Sequence, residues 1–191
     1  MRIIAGEARS RIIEAPEGRN TRPTLDRVRE NLFNILQTRI KGTVVLDLFA
    51  GSGALSFEAI SRGAVKAVLC DCDRKANRTE CKNADALGFS DRCEIFCCDW
   101  KTAVKNLKDR KIVFNFVFLD PPYEMTDLRE VLESLEPLLD QDGMIIVEHD
   151  AKAVLRYHER YVITDERKWG ICGMSFLKKA FAGCMKTEAD L

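Results

Sequence analysis

The sequence predicts an α/β fold built on a mostly parallel sheet. Three observations carry that expectation: five short, nearly continuous apolar runs, helical stretches between them, and a carboxylate where each of the first four runs stops. In chain order, Arg2–Ala5 and Arg11–Ala15 flank a Gly6-Glu7-Ala8 turn and predict a small β-hairpin. Pro16, Gly18 and Pro23 mark a loop. Thr24 then stands as N-cap before Val28, Leu32, Ile35 and Leu36, whose helical spacing predicts an amphipathic helix to about Arg39. The apolar runs are Val44–Phe49, Ala67–Cys72, Cys93–Cys98, Phe114–Leu119 and Met144–Val147. Between them Ala54–Arg62, Arg74–Leu87, Lys101–Leu107 and Leu128–Leu139 are each long enough for a crossover helix, so the unit repeats as βαβ. Tyr161–Glu166 and Met174–Lys178, separated by Trp169-Gly170, predict an antiparallel hairpin at the sheet edge, making seven strands. Residues 1–23 form a basic arm and 24–191 one domain.

Composition excludes several classes. Of 191 residues, 30 are Lys or Arg and 30 Asp or Glu, so the chain is no polycation that coats any nucleic acid it meets. No run approaches the 18 or so apolar residues of a membrane span, and the first residues are charged throughout, which predicts a soluble cytoplasmic protein with no membrane partner. The eight cysteines sit largely on apolar runs without a C-x-x-C pair, so small buried thiols are expected and no metal site. The neutral total hides an uneven distribution. Residues 1–29 hold seven Arg against four acids, whereas residues 120–150 hold ten acids and only Arg129.

In an open α/β sheet the ligand lies beyond the carboxyl ends of the strands. The first run ends in Asp47-Leu48-Phe49-Ala50-Gly51-Ser52-Gly53, where two glycines permit a tight turn and close ligand approach at a helix start. Asp71, 20 residues after Gly51, can accept both hydroxyls of a ribose. A dinucleotide fingerprint would need Gly at position 56, and Ser56 stands there. N-capping is the plain alternative for any one acid. The string with Asp71 and Asp99 resembles the S-adenosylmethionine site of class I methyltransferases, a Rossmann-like fold with helices on both sheet faces. That resemblance implies that Asp47 holds the amino group, Asp71 the ribose and Asp99 the adenine, with Phe49, Ala50, Gly51, Ser52, Gly53, Cys72 and Trp100 around them. Asn83 often accompanies such sites, though an exposed polar residue explains it equally well.

Asp120-Pro121-Pro122-Tyr123 is the most specific string. Two prolines fix a stiff turn with outward carbonyls. An exocyclic nucleobase amine is conjugated with its ring, and acceptors at both its hydrogens, Asp120 and the Pro121 carbonyl, draw the lone pair out of conjugation. Tyr123 can stack on a base removed from its stack. The motif resembles that of amino-methyltransferases acting on adenine, cytosine, guanine or glutamine amide nitrogen.

The arm narrows the choice. Arg2–Gly6, Arg9, Arg11, Thr21–Thr24 and Asp26–Leu36, continuing through Asp47–Ala64, Asp120–Tyr123 and Gly143–Glu148, resemble the bacterial 16S rRNA guanine-N2 methyltransferase family. Ser10, Ser56-Phe57 and Asp71 depart from its usual residues without removing a chemical group. The resemblance implies S-adenosylmethionine as cofactor, 16S rRNA or a small-subunit assembly intermediate as partner, and no obligate protein partner. Arg9, Arg11, Arg22, Arg27 and Arg29 are the RNA-binding candidates, about two of the five being expected to pin the arm instead. The rivals are a DNA adenine-N6 methyltransferase, for which no block remains to form a target-recognition region, a glutamine methyltransferase, which would carry Asn at position 120, and a non-catalytic RNA-binding assembly factor.

Overall fold

The computed structural model describes residues 1–16 and 23–180. The seven strands are β1 (Val44–Asp47), β2 (Lys66–Asp71), β3 (Cys93–Cys97), β4 (Phe114–Leu119), β5 (Leu139–Asp150), β6 (Tyr161–Trp169) and β7 (Cys172–Lys179). They form one sheet in the order β3-β2-β1-β4-β5-β7-β6. Pairings among the first five are parallel, while β7 runs antiparallel to both β5 and β6. The expected sheet and edge hairpin are therefore present. The helices are α1 (Pro23–Leu36), α2 (Ala54–Ser61), α3 (Arg74–Leu87), α4 (Trp100–Asp109) and α5 (Arg129–Leu135).

Alternation along the central strands separates two cores. Val45, Ala67, Leu69, Phe116, Phe118 and Ile146 pack beneath α1, α2 and α3. Leu46, Val68, Val117, Leu119, Ile145 and Val147 pack beneath α4 and α5 on the opposite face. Both faces are covered, which is why these strands read as continuous apolar runs.

Three expectations need correction. The N-terminal hairpin is reduced to one antiparallel bridge, Arg2 to Ile12. The arm donates elsewhere: Ile4 and Ala5 N–H go to the Glu58 carboxylate at 2.8 and 3.1 Å, Ala8 N–H to Ser61 Oγ at 3.0 Å, and Glu7 N–H to the Ser61 carbonyl at 2.9 Å. Across the two runs there remain Ile3 N–H to the Arg11 carbonyl at 2.9 Å, Ser10 N–H to the Ile3 carbonyl at 2.8 Å and Ile13 N–H to the Met1 carbonyl at 3.1 Å, while the outward-facing amides go to α2 instead of extending a ladder. Gly6, at φ +85°, makes this approach possible, because a Cβ there would stand 1.8 Å from the Ser61 carbonyl oxygen. Ile3, Ala8 and Ile13 accordingly enter the α1–α3 core.

The thiols are the second correction. Cys70 and Cys172 are buried, but Cys97 is exposed at the end of the edge strand β3, Cys72 just beyond β2, and Cys81 off the buried stripe of α3. Cys184 lies outside the described residues. The third concerns Asn83, which is buried rather than exposed. It accepts from Glu14 N–H at 2.8 Å and donates to the Glu14 and Ser52 carbonyls, each at 3.0 Å. It thereby ties the arm to the glycine turn.

Candidate functional site

The first four carboxylates identified in the sequence lie at the carboxyl ends of β1, β2, β3 and β4, as the parallel topology requires. The turn between β1 and α2 has Gly51 at φ 58° and Gly53 at φ 76°. At Gly53 a Cβ would stand 2.4 Å from the Phe57 ring and 2.8 Å from Leu69, so the turn presses directly on the helix–sheet interface. Ser52 is buried in the same turn, with Phe49 and Ala50 half-buried beside it.

The acids differ in their surroundings. Asp71 is half-buried and oriented by two backbone donors: Gly51 N–H to Oδ2 and Asp73 N–H to Oδ1, both at 2.9 Å. Each carboxylate oxygen retains a further lone pair for a ribose hydroxyl. Asp47 is buried, with Ser56 Oγ donating to Oδ2 at 3.1 Å and no partner for Oδ1 among the described residues. Burial pushes its carboxyl up to about 7. An orphaned acceptor beside the glycine turn suits a cationic ammonium group. Asp99 is exposed and caps α4, accepting from Thr102 N–H at 3.1 Å and Thr102 Oγ1 at 2.7 Å, bonds that hold its carboxyl below the usual range. The capping alternative thus holds for Asp99, whose remaining lone pairs stay accessible. Cys72 is exposed just beyond β2, and half-buried Trp100 opens α4 with Lys101 over its ring.

Sequence reasoning missed Glu80. It lies on the buried stripe of α3 with Ala76, Asn83, Ala84 and Leu87, and neither carboxyl oxygen has a hydrogen-bond partner among the described residues. Burial, then the neighbouring Asp47 and Asp71, push it up to about 9, so it is protonated at neutral pH. The signal was available: a Glu four residues after Ala76 falls on the inward face of a helix.

The Asp120–Tyr123 turn follows β4 directly. Pro121 is buried and anchors it, while Asp120 and Pro122 are exposed. Tyr123 is 77% exposed, leaving most of its ring open for stacking. The Pro122 carbonyl closes the turn by accepting Met125 N–H at 2.8 Å, and the Pro121 carbonyl accepts no hydrogen bond among the described residues. Glu148, at the corresponding position beyond β5's central segment, borders the same hollow as Pro121, Pro122 and Tyr123.

The arginines divide into two groups. Arg11 donates to the Leu87 carbonyl at 2.8 Å and to the Ala86 carbonyl, closing the C-terminal end of α3. Arg29 is 4% exposed, held by Asp26 at 3.0 Å and facing Glu58 at 3.8 Å. Both pin the arm. Arg9 and Arg27 are exposed, and Arg22 lies outside the described residues. Arg9 belongs to the turn beside Ser61, at the opposite end of the sheet from Asp120, whereas Arg27 stands near the start of α1.

A mostly parallel seven-stranded sheet in this order, with a glycine turn after β1 and carboxylates at the strand ends, is the class I, S-adenosylmethionine-dependent methyltransferase fold. The buried Asp47, whose Oδ1 has no partner among the described residues, and the oriented Asp71 fit that cofactor. The family described as Conserved hypothetical protein 95 matches residues 1–178, and the chain belongs to it. YlbH of Bacillus subtilis is 35% identical over 182 residues, covering 94% of this chain and 99% of the relative. Ribosomal RNA small subunit methyltransferase D of Escherichia coli K12 is 37% identical over 154 residues, covering 80% and 76%. Among solved structures, yhhF from Escherichia coli is 32% identical with a TM-score of 0.78, covering 94% of this chain and 97% of its own.

Proposed function

We propose that this chain methylates the exocyclic N2 of a guanine in 16S rRNA, as naked RNA or in a small-subunit assembly intermediate, in the cytoplasm. The observation that carries the reading is the Asp120–Tyr123 turn, with a Pro121 carbonyl that accepts no hydrogen bond among the described residues and an open Tyr123 ring, at the same sheet end as the Gly51–Gly53 turn. The name of the Escherichia coli relative supports small-subunit rRNA as the substrate.

S-adenosylmethionine supplies an activated sulfonium methyl group when bound. Asp47 would hold its ammonium, Asp71 its ribose, and Asp99 with Trp100 its adenine, while Phe49, Ala50, Gly51, Ser52, Gly53 and Cys72 line the place. Asp120 and the Pro121 carbonyl accept the two N2 hydrogens and free the nitrogen lone pair from the ring. Tyr123 stacks on the extruded base, and Pro122 keeps the turn stiff, so the protein's part is chiefly alignment. After methylation the cationic nitrogen is strongly acidic, and Asp120 or water takes its proton. Residues 1–23 serve as the RNA-facing arm and 24–191 as the methyltransferase domain, with exposed Arg9 and Arg27 available to phosphates and Arg22 assigned the same role from the sequence.

The test offers labelled S-adenosylmethionine with small-subunit particles, naked rRNA, DNA and protein extract, then identifies the product. N2-methylguanosine in the small-subunit RNA is expected. Label recovered as N6-methyladenine in DNA overturns the reading.

A further inference from the structure

We propose that Glu148 reads the target base, its carboxylate accepting the N1–H of guanine while Asp120 engages the neighbouring amine. This rests on guanine N2 as the acceptor and adds the group that selects it.

Register gives the placement. Leu119 pairs with Val147 in the parallel β4–β5 ladder, so Asp120 and Glu148 are the next residues on adjacent strands. Adjacent strands lie about 4.8 Å apart. Phe118 and Ile146 face the α1–α3 core, while Leu119 and Val147 face the other, so alternation brings positions 120 and 148 to the same side. A second observation agrees: Asp120 and Glu148 both act electrostatically on the Tyr123 phenol and the Cys172 thiol. The two carboxyls therefore share one neighbourhood beside Tyr123.

Glu148 is poorly satisfied for a carboxyl in that position. Its one hydrogen bond among the described residues is a weak donation from Cys172 Sγ to Oε1 at 3.5 Å. Burial raises its pKa, the sign of an anion short of hydrogen-bond donors. Among the described residues, no lysine or arginine side chain borders the hollow it shares with Pro121, Pro122, Tyr123 and Met125.

The base edges differ where this acceptor stands. On guanine, N1 carries a hydrogen beside the N2 amine. On adenine, N1 beside the N6 amine is a bare lone pair. A carboxylate aimed at N1 gains a charge-assisted hydrogen bond from the first and meets lone-pair repulsion from the second. A site built around such a bond rejects an analogue lacking the hydrogen far more strongly than a shape-matched apolar wall would.

The experiment substitutes 2-aminopurine for the methylated guanine in the RNA substrate; this base keeps the exocyclic N2 amine but has no N1–H. The parent enzyme is expected to favour guanine in kcat/KM by at least about 100-fold. Glu148→Gln, whose amide can donate to a bare N1, should narrow the preference to less than about tenfold. Comparing the two substrates within one preparation cancels any difference in active fraction, and Glu148→Ala, which should also narrow the preference, serves if the Gln variant does not fold. Equal use of both bases by the parent, or an undiminished preference in the variants, overturns the role of Glu148 while N2-methylguanosine as product leaves the parent reading intact. A product other than N2-methylguanosine removes both.

Discussion

Replacing Glu58 by Ala tests how the arm is held. Glu58 is fully buried on α2 and accepts from Ile4 N–H at 2.8 Å, Ala5 N–H at 3.1 Å and Arg62 Nε at 2.7 Å, with Arg29 Nε at 3.8 Å. Removing one partner of a buried ion pair costs about 3–5 kcal/mol, because the other charge remains desolvated. The lower end applies here, since Arg29 keeps Asp26 at 3.0 Å and Arg62 is partly exposed. About 3 kcal/mol in a domain of this size corresponds to a fall of about 6–12 °C in Tm. Calorimetry measures it, and amide exchange at Ile4 and Ala5 reports whether the arm has lifted. Adding Arg29→Met should recover part of the loss, because the unpaired cation goes with it. A Tm within about 2 °C of the parent, on the scaling used above, with unchanged exchange at both amides, would refute the claim that Glu58 clamps the arm.

Asp120→Ala should abolish methyl transfer in single-turnover assays while retaining cofactor affinity by calorimetry; a normal rate removes the role given to Asp120. Replacing Arg9 and Arg27 together should weaken RNA binding and reduce the salt slope by about 1.4, at about 0.7 per lost single-strand phosphate contact. Arg11→Gln should instead lower Tm and leave the slope unchanged, so a slope change there contradicts its inward assignment. The folded protein keeps the Glu80 proton up to about pH 9, whereas the unfolded chain releases it near 4.5, so this group's contribution to stability falls as pH rises through that window. Glu80→Gln should remove that slope and be more stable than the parent at pH 8 by at least about 1 kcal/mol, read from urea unfolding at several pH values; parallel pH profiles contradict it.

The sheet was legible because both its faces are covered, leaving each inner strand as an uninterrupted apolar run. Asp47, Asp71, Asp99 and Asp120 were legible for a related reason: parallel pairing brings the carboxyl ends of β1 to β4 to one edge, whatever the distance along the chain. What escaped depended on partners remote in sequence. The hairpin pattern of residues 2–15 was genuine, but the decisive acceptors, Glu58 and Ser61, lie more than 50 residues away. Asn83 looked like any polar helix residue until Glu14 and Ser52 were placed beside it. Composition could likewise count arginines near the N-terminus, but it could not separate Arg11, occupied with helix carbonyls, from exposed Arg27.

That division changes what the zero net charge means. The sheet edge that holds the candidate site is acidic, since Asp47, Asp71, Asp120 and Glu148 all stand at strand ends there, while Arg11 and Arg29 are engaged within the protein. A field of that sign does not draw a phosphate backbone onto the reaction centre. In the proposed reading, attraction has to come from peripheral groups such as Arg27, and the base has to reach the acids without its backbone, as an extruded nucleotide does. Acids are then an advantage at the centre: a guanine edge offers N–H donors, and carboxylates reward them. Recognition and attraction are assigned to different parts of the molecule, so removing peripheral arginines should alter affinity and salt dependence together, whereas changing Glu148 should alter which base is accepted with little effect on the salt slope.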